Sequence, residues 1–425
     1  MTNTLETTIV QQAQQAKQGA KYLAHLPTAV KDNILQHMAK ALREQQTLIL
    51  AANTQDLAKA QQSGLSTALC DRLKLTPARI EGMATGLEEI AQLPDPVEKE
   101  LACDELTNGL MIHKISVPLG VLGFIYEARP NVTTDAIGLA IKSGNGIILK
   151  GGKEAIESNR AIMRCVLNAF QQVVDNANIV NAVQFIDSTE REATYILLAQ
   201  KDYIDLVIPR GGKSLIQAIA EHTDIPVLKH LDGICHIFID DTAQIEMANN
   251  IVLNAKCQRP SACNALETLL VHAQIAPKVL PIIIPALIDA GVELRGCKRT
   301  LALVNNFPIS AAIEDDWRTE YLDMILSIKI VDALEEAITH INTYGSHHSD
   351  SIITETAKHA ADFLQQIDSA VVYHNASTRF TDGSVFGMGA EMGISTGKLH
   401  ARGPVGLMEL TTYQYRVFGH GQIRD

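Results

Sequence analysis

The chain has 425 residues, 46% hydrophobic and 20% charged, the proportions of a folded globular protein with room for about two to three domains. Its 36 basic and 48 acidic residues leave a net charge of −12, and no run of Lys or Arg marks a footprint for nucleic acid or anionic membrane. The longest greasy run, 279–288, holds Pro281 and Pro285 and is too short to span a bilayer, and the polar start Met1-Thr2-Asn3-Thr4 is unlike a secretory signal.

Residues 5–92 read as consecutive helices, with apolar positions every third or fourth residue, stopped by Pro94-Asp95-Pro96. The runs 101–107 and 110–117 flank Asn108-Gly109, a strong hairpin signal, and a lone hairpin needs a further partner. From 119 to 240 the pattern is strand, glycine turn, helix, repeated. Strands are expected at 121–126, 146–150, 183–186 and 204–208, and helices at 134–142, 154–170, 190–198 and 214–221. Such alternation predicts parallel strands with crossover helices, a doubly wound α/β domain whose ligands lie at the carboxyl ends of the strands. A second α/β unit runs from 232 to 370, with strands at 268–272, near 301–304 and at 326–331, and a helix at 334–342. A glycine-rich stretch, 383–406, leads to an alternating terminal strand at 410–417.

Seven scattered cysteines without a Cys-x-x-Cys pair point to a reducing compartment rather than a disulfide framework. His347-His348 are adjacent, not i, i+4, and there is no His-Glu-x-x-His, so no metal is expected. Cys263 lies in the polar stretch Gln258-Arg259-Pro260-Ser261-Ala262-Cys263-Asn264. A thiol among small polar residues is either a nucleophile or a buried structural cysteine. Lys150 ends a strand, and Lys153 sits at a helix start, where the dipole disfavours a cation. An anionic partner is one reading of the pair, and solvated lysines are the other. Gly151-Gly152 and Gly211-Gly212 would let a phosphate approach a helix N-terminus. A lysine rather than an acid at Lys150 would favour the 2′-phosphate of NADP. Gly387–Gly393 spaces its third glycine one residue too far for a dinucleotide fingerprint, and Gly152-Lys153 lacks the rest of a P-loop.

Several segments together are similar to the γ-glutamyl phosphate reductase family of the aldehyde dehydrogenase superfamily. They include Val117-Pro118-Leu119-Gly120-Val121-Leu122-Gly123, Tyr126-Glu127-Ala128-Arg129-Pro130-Asn131, Lys150-Gly151-Gly152-Lys153-Glu154-Ala155 and Pro209-Arg210-Gly211-Gly212. Further on come His230-Leu231-Asp232-Gly233, Arg259-Pro260-Ser261-Ala262-Cys263-Asn264, Tyr344-Gly345-Ser346-His347-His348, Thr378-Arg379-Phe380-Thr381-Asp382-Gly383 and Lys398-Leu399-His400-Ala401-Arg402-Gly403-Pro404. The similarity covers residues 71 to the end.

The resemblance implies NADPH-dependent reduction of L-glutamyl 5-phosphate to L-glutamate 5-semialdehyde in proline biosynthesis, with Cys263 as nucleophile. It places Lys150 and Lys153 in the cofactor site, Gly211 and Gly212 near it, and Glu320 where the superfamily holds a nicotinamide-ribose acid. Asn131 is a possible substitute for the superfamily's oxyanion asparagine. A strongly anionic substrate calls for cations, and Arg259, Arg379 and Arg402 are the candidates, with structural salt bridges as the alternative for each. His230-Leu231-Asp232-Gly233 stands where hydrolytic aldehyde dehydrogenases carry a water-activating glutamate.

The implied fold is α/β and aldehyde dehydrogenase-like, with two Rossmann-like parallel-sheet domains and a small β oligomerisation flap. Residues 1–100 and 119–230 would bind NADP, 231–370 would be catalytic, and 101–118 with 400–425 would form the flap, 371–399 being a glycine-rich return. The expected setting is a cytoplasmic homo-oligomer fed by a separate glutamate kinase, without membrane or nucleic-acid contacts.

Overall fold

Apolar periodicity translates directly into the first elements: helices α1 (Thr2–Leu23), α2 (Thr28–Glu44), α3 (Gln46–Gln62), α4 (Thr67–Leu73) and α5 (Pro77–Gln92). The structure is a computed structural model that describes residues 2–424; Met1 and Asp425, the outermost residues of the expected ranges, lie outside the described residues. Two compact units emerge from the chain. One holds the residues up to Lys229 with Gly387–Ile394 and the stretch from Pro404, and the other holds His230–Phe386 with Ser395–Gly403.

In the first unit, β1 (Glu100–Glu105) and β2 (Met111–Pro118) form the expected hairpin, paired antiparallel. Its loop has three residues, Thr107-Asn108-Gly109, because Gly109 N donates to Leu106 O (2.8 Å) and Leu106 N to Leu110 O (2.9 Å). Gly109 takes φ +83°, the left-handed conformation that such a bulged turn demands. The partner the hairpin needs is the C-terminal strand Thr411–Phe418, which pairs along the other edge of β2 from Thr411↔Pro118 to Phe418↔Met111.

Next come β3 (Val121–Tyr126), α6 (Val132–Lys142), β4 (Gly146–Gly151), α7 (Ile156–Val173), α8 (Ala177–Val180), β5 (Val183–Phe185), α9 (Glu192–Leu198), β6 (Leu206–Arg210) and α10 (Lys213–Glu221). The four strands form a parallel sheet in the order β5-β4-β3-β6. Every residue of β3 and β4 is buried, which explains their nearly unbroken apolar runs. Ile125, Ile148 and Val207 from the sheet pack with Ile9, Ala13 and Ala16 of α1. The expected strand 204–208 begins later, at Leu206, because the Asp205 carboxylate turns to accept a hydrogen bond from Val121 N at 2.8 Å.

The second unit carries β7 (Cys235–Ile239), α11 (Ile245–Cys257), β8 (Leu266–His272), α12 (Ala276–Asp289), β9 (Glu293–Gly296), α13 (Lys298–Leu303), β10 (Ser310–Ala311), β11 (Ile325–Val331), α14 (Leu334–Tyr344), β12 (Ser349–Ile353), α15 (Ala357–Gln366) and β13 (Val371–His374). Its seven strands are parallel throughout, in the order β10-β9-β11-β8-β7-β12-β13. Leu266, Leu269, Ile237 and Ile328 of the sheet meet Val279 and Ile283 of α12. The strand expected near 301–304 is instead the helix α13. A four-residue apolar run has no period long enough to separate helix from strand. Here Thr300 anchors a helical turn, its Oγ1 donating to Ile328 O at 3.2 Å. No described helix is long and apolar enough to cross a membrane.

Candidate active site

Helix α11 ends at Cys257, and the chain makes two tight turns before β8, with Ala262 N donating to Arg259 O (3.1 Å) and Ala265 N to Ala262 O (2.9 Å). Cys263 sits half-buried within the second of these turns. Its neighbour Asn264 looks like a surface turn residue, yet it is 4% exposed. The Asn264 amide donates to Thr381 O (2.8 Å), while Thr378 Oγ1 donates to Asn264 O (2.7 Å). These bonds tie the thiol's turn to the segment 378–381 of the same unit.

A second wall is built just before β7. A Cβ on Gly233 would lie 2.0 Å from the Cys263 carbonyl oxygen, so only glycine allows this approach. Gly233 N donates to Glu320 Oε1 at 2.8 Å, and the Cys235 thiol lies 3.3 Å from Cys263 O. Burial pushes the Cys235 thiol well above the usual cysteine range, helped by the Asp350 carboxylate, so Cys235 stays a neutral thiol.

The third wall precedes β12. His230 and His348 pack edge to face at 4.7 Å between ring centres, and each has a ring nitrogen within 4.8 Å of the Cys263 sulfur. Burial, then the adjacent His230 ring, hold His348 well below the ordinary histidine value, so its imidazole is neutral. Its Nδ1 lies 2.8 Å from Ser349 Oγ, which continues to Thr381 Oγ1 (2.6 Å) and Tyr373 OH (2.8 Å). In this unit the thiol and its neighbours therefore gather at the amino ends of β7, β8 and β12. The carboxyl-end rule does not locate them.

Of the predicted cations, Arg259 and Arg379 belong to this cluster. Burial and then the Arg259 charge lower Arg379 below the ordinary arginine value, while Cys263 acts on it in the opposite sense. Arg379 Nε donates to Gln258 Oε1 at 2.8 Å. Arg402 is committed elsewhere, with Nη1 on Asp368 Oδ1 and Nη2 on Asp368 O, both at 2.9 Å. Glu320 stands against the Gly233 loop, beside the thiol's turn.

In the first unit the remaining candidates line the carboxyl edge of the four-stranded sheet. Lys150 is 5% exposed, with Nζ donating to Gly151 O at 2.9 Å. Burial lowers its ammonium, and Glu154 partly offsets this. Lys153 opens the short 3-10 turn Lys153–Ala155 and is exposed. The glycines of the two turns make room for the protein's own side chains: a Cβ on Gly151, beside Lys150, would meet Asn159 Nδ2 at 2.2 Å, and one on Gly211, after Arg210, would meet Glu127 Oε2 at 2.5 Å. Gly212 N already donates to Glu127 Oε2 (3.0 Å) at the start of α10.

Asn131 precedes α6 and lines a polar cavity of about 160 Å³ with Arg129, Asp135, Arg210 and Glu391. Burial raises the Asp135 carboxyl to about 6, with Arg210 pulling the other way. Sequence reasoning missed Asp135 and the role of His348 as a neighbour of the thiol. An acid inside the apolar stretch 132–141 was the available signal for the first; His348 carried none beyond its adjacency to His347.

The sequence profile of the aldehyde dehydrogenase family matches residues 2–292. A γ-glutamyl phosphate reductase of Moorella thermoacetica is 50% identical over 412 residues, 97% of either chain. One from Syntrophomonas wolfei subsp. wolfei is 49% identical over 424 residues and covers 100% of both chains. The crystal structure of γ-glutamyl phosphate reductase from Thermotoga maritima superposes with a TM-score of 0.95 at 43% identity, covering 98% of this chain and 100% of that one.

Proposed function

The chain belongs to the γ-glutamyl phosphate reductases of the aldehyde dehydrogenase family and reduces L-glutamyl 5-phosphate to L-glutamate 5-semialdehyde in proline biosynthesis, and we propose that it does so through a thioester on Cys263 with NADPH. The observation that carries this reading is the enclosure of one half-buried thiol by Gly233, Asn264 and two imidazoles, on a turn too constrained to be accidental.

The Cys263 sulfur, as thiolate, attacks the acyl-phosphate carbonyl, and the C–O bond breaks as phosphate leaves. The Cys263 backbone N–H is proposed to support the oxyanion, with Asn131 proposed as a further donor on resemblance alone. Arg259 and Arg379 are proposed to hold substrate anions, since Arg379 feels the charges of both Arg259 and Cys263. Arg402, held by Asp368, is proposed instead to fix the segment 395–403. On the resemblance, the stretch His230-Leu231-Asp232-Gly233 stands in for the one that carries the water-activating glutamate in hydrolytic aldehyde dehydrogenases, and the missing carboxylate is proposed to spare the thioester for reduction.

NADPH, when bound, supplies the hydride that reduces the thioester carbonyl. The residues fit it: Lys150 brings a buried ammonium whose hydrogen bond goes to a backbone carbonyl, and Lys153 offers an exposed one on the same turn. Lys150, Lys153, Gly211 and Gly212 are proposed to bind it. A structural neighbour only 14% identical, an engineered glycolyl-CoA reductase with bound NADP+, shares the fold at a TM-score of 0.66. Glu320 is proposed to act chiefly by holding the Gly233 loop.

A homo-oligomer is also proposed, since β1 is exposed along its whole length and Tyr413, Tyr415, Val417 and Phe418 are exposed on the opposite edge strand. A cytoplasmic setting and supply of the acyl phosphate by a separate kinase complete the proposal. The deciding experiment is the phosphate-dependent reverse reaction, following NADP reduction with glutamate semialdehyde. Cys263→Ala is expected to abolish it, and activity surviving in that variant overturns the mechanism.

A further inference from the structure

We propose that Cys263, His230 and His348 form a binding site for a thiophilic divalent cation, zinc above all, and that occupancy of this site switches the enzyme off. One donor atom from each residue lies within 4.8 Å of the other two. A thiolate with two imidazoles is a donor set that zinc takes readily in a tetrahedral arrangement, with the fourth position open to water.

His348 supplies the independent observation. Its ring is 0% exposed, and its Nε2 is buried without a hydrogen-bond partner. A buried nitrogen left this way has lost its hydration with nothing in exchange, an arrangement that calls for an explanation. In the tautomer whose Nδ1–H donates to Ser349 Oγ, 2.8 Å away, Nε2 presents its lone pair; Nδ1 also lies 3.8 Å from the Cys235 thiol. The Ser349–Thr381–Tyr373 chain behind it fixes the ring, as outer hydrogen bonds fix the imidazoles of metal sites. Cys263 and His230 are both partly exposed, which leaves a path for an ion.

Binding forms a sulfur–metal bond while the Cys263 thiol releases its proton to solvent. No electron changes hands, so a chelator reverses it. The lone pair needed to attack the acyl phosphate is then engaged by the metal. The inhibitory consequence rests on the proposed role of Cys263 as nucleophile; the binding itself does not.

Among the described residues, two other side-chain groups could also hold a cation: the exposed Glu100 and Cys103 with half-buried His113, and Asp240, Asp241 and His359. The test therefore uses the full chain carrying Cys103→Ser, with Co2+ as an optical probe. A sulfur-to-cobalt charge-transfer band is expected at one equivalent and is lost with Cys263→Ser. Zinc titrated into the activity assay should inhibit reversibly, with the inhibition constant weakened about 10–100-fold by His348→Gln. Because His348 is buried, His230→Gln provides the same test at a partly exposed position. Equal inhibition constants in the parent and both histidine variants, or a cobalt band that survives Cys263→Ser, overturns the site. Reductase activity that persists in Cys263→Ala, with the cobalt band behaving as stated, removes the nucleophile while leaving the metal site standing.

Discussion

At Gly233 the difference between a hydrogen and a methyl group decides where the reactive turn can lie. A Cβ there would stand 2.0 Å from Cys263 O and 2.7 Å from its Cα, so the turn would have to shift by about an ångström or more. Misplacement by ~1 Å costs on the order of 100-fold in rate. Gly233→Ala is therefore expected to lower kcat/KM about 100-fold while the protein stays folded, as steady-state kinetics beside a thermal melt would show. The turn that holds Cys263 was legible, because a run of short polar residues between a helix and a strand is a local pattern. The reason for Gly233 was not, since the atom it makes room for lies thirty positions further along the chain. Arg402 shows the same limit: it reads as a substrate cation until Asp368, thirty-four positions away, takes its guanidinium.

Among the elements, those with long or sharply punctuated patterns were the readable ones. The five N-terminal helices, the buried strands β3 and β4 and the hairpin about Asn108-Gly109 follow from periodicity and turn chemistry. The short run at 301–304 did not, because a helix start at Cys297 and a bond from Thr300 to β11 outweigh four apolar residues. The hairpin gives a sharp test of its turn. Gly109 holds φ +83°, where a side chain is strained, so Gly109→Ala is expected to destabilise the protein by about 1 kcal/mol. A lower midpoint in urea with unchanged slope would show it; an unchanged midpoint would mean that the loop relaxes into a different turn.

For the molecule as a whole, buried imidazoles set a limit on the acid side. His340 is 3% exposed, stacked on Tyr344 at 4.6 Å between ring centres and in contact with Lys329 Nζ at 3.1 Å. Burial, with His236 and Lys329 nearby, lowers it from 6.5 to about 2. The unfolded imidazole takes up a proton below pH 6.5 and the folded one does not, so the unfolded state binds more protons in that window. Stability is then full above pH 6.5 and is lost as the pH falls, by up to about 1.4 kcal/mol per pH unit for this group. His348, also held neutral, adds in the same direction. Denaturant melts between pH 7.5 and 5 should show this slope (those two values being about one unit above and more than one below the ordinary histidine pKa), and His340→Gln should flatten it. No local pattern announced these histidines, because burial is a property of the completed fold. Completion itself comes late. The central strand β2 hydrogen-bonds to Thr411–Phe418, and Asn145 donates its amide to Leu410 O at 2.8 Å, so the first unit recruits a strand that lies beyond the second unit in the chain. On the ribosome, β2 must therefore wait with one edge unsatisfied while the whole second unit is translated. Deletion of the pairing strand Thr411–Phe418 would leave that nascent edge open for good, turning a folding delay into a route to aggregation.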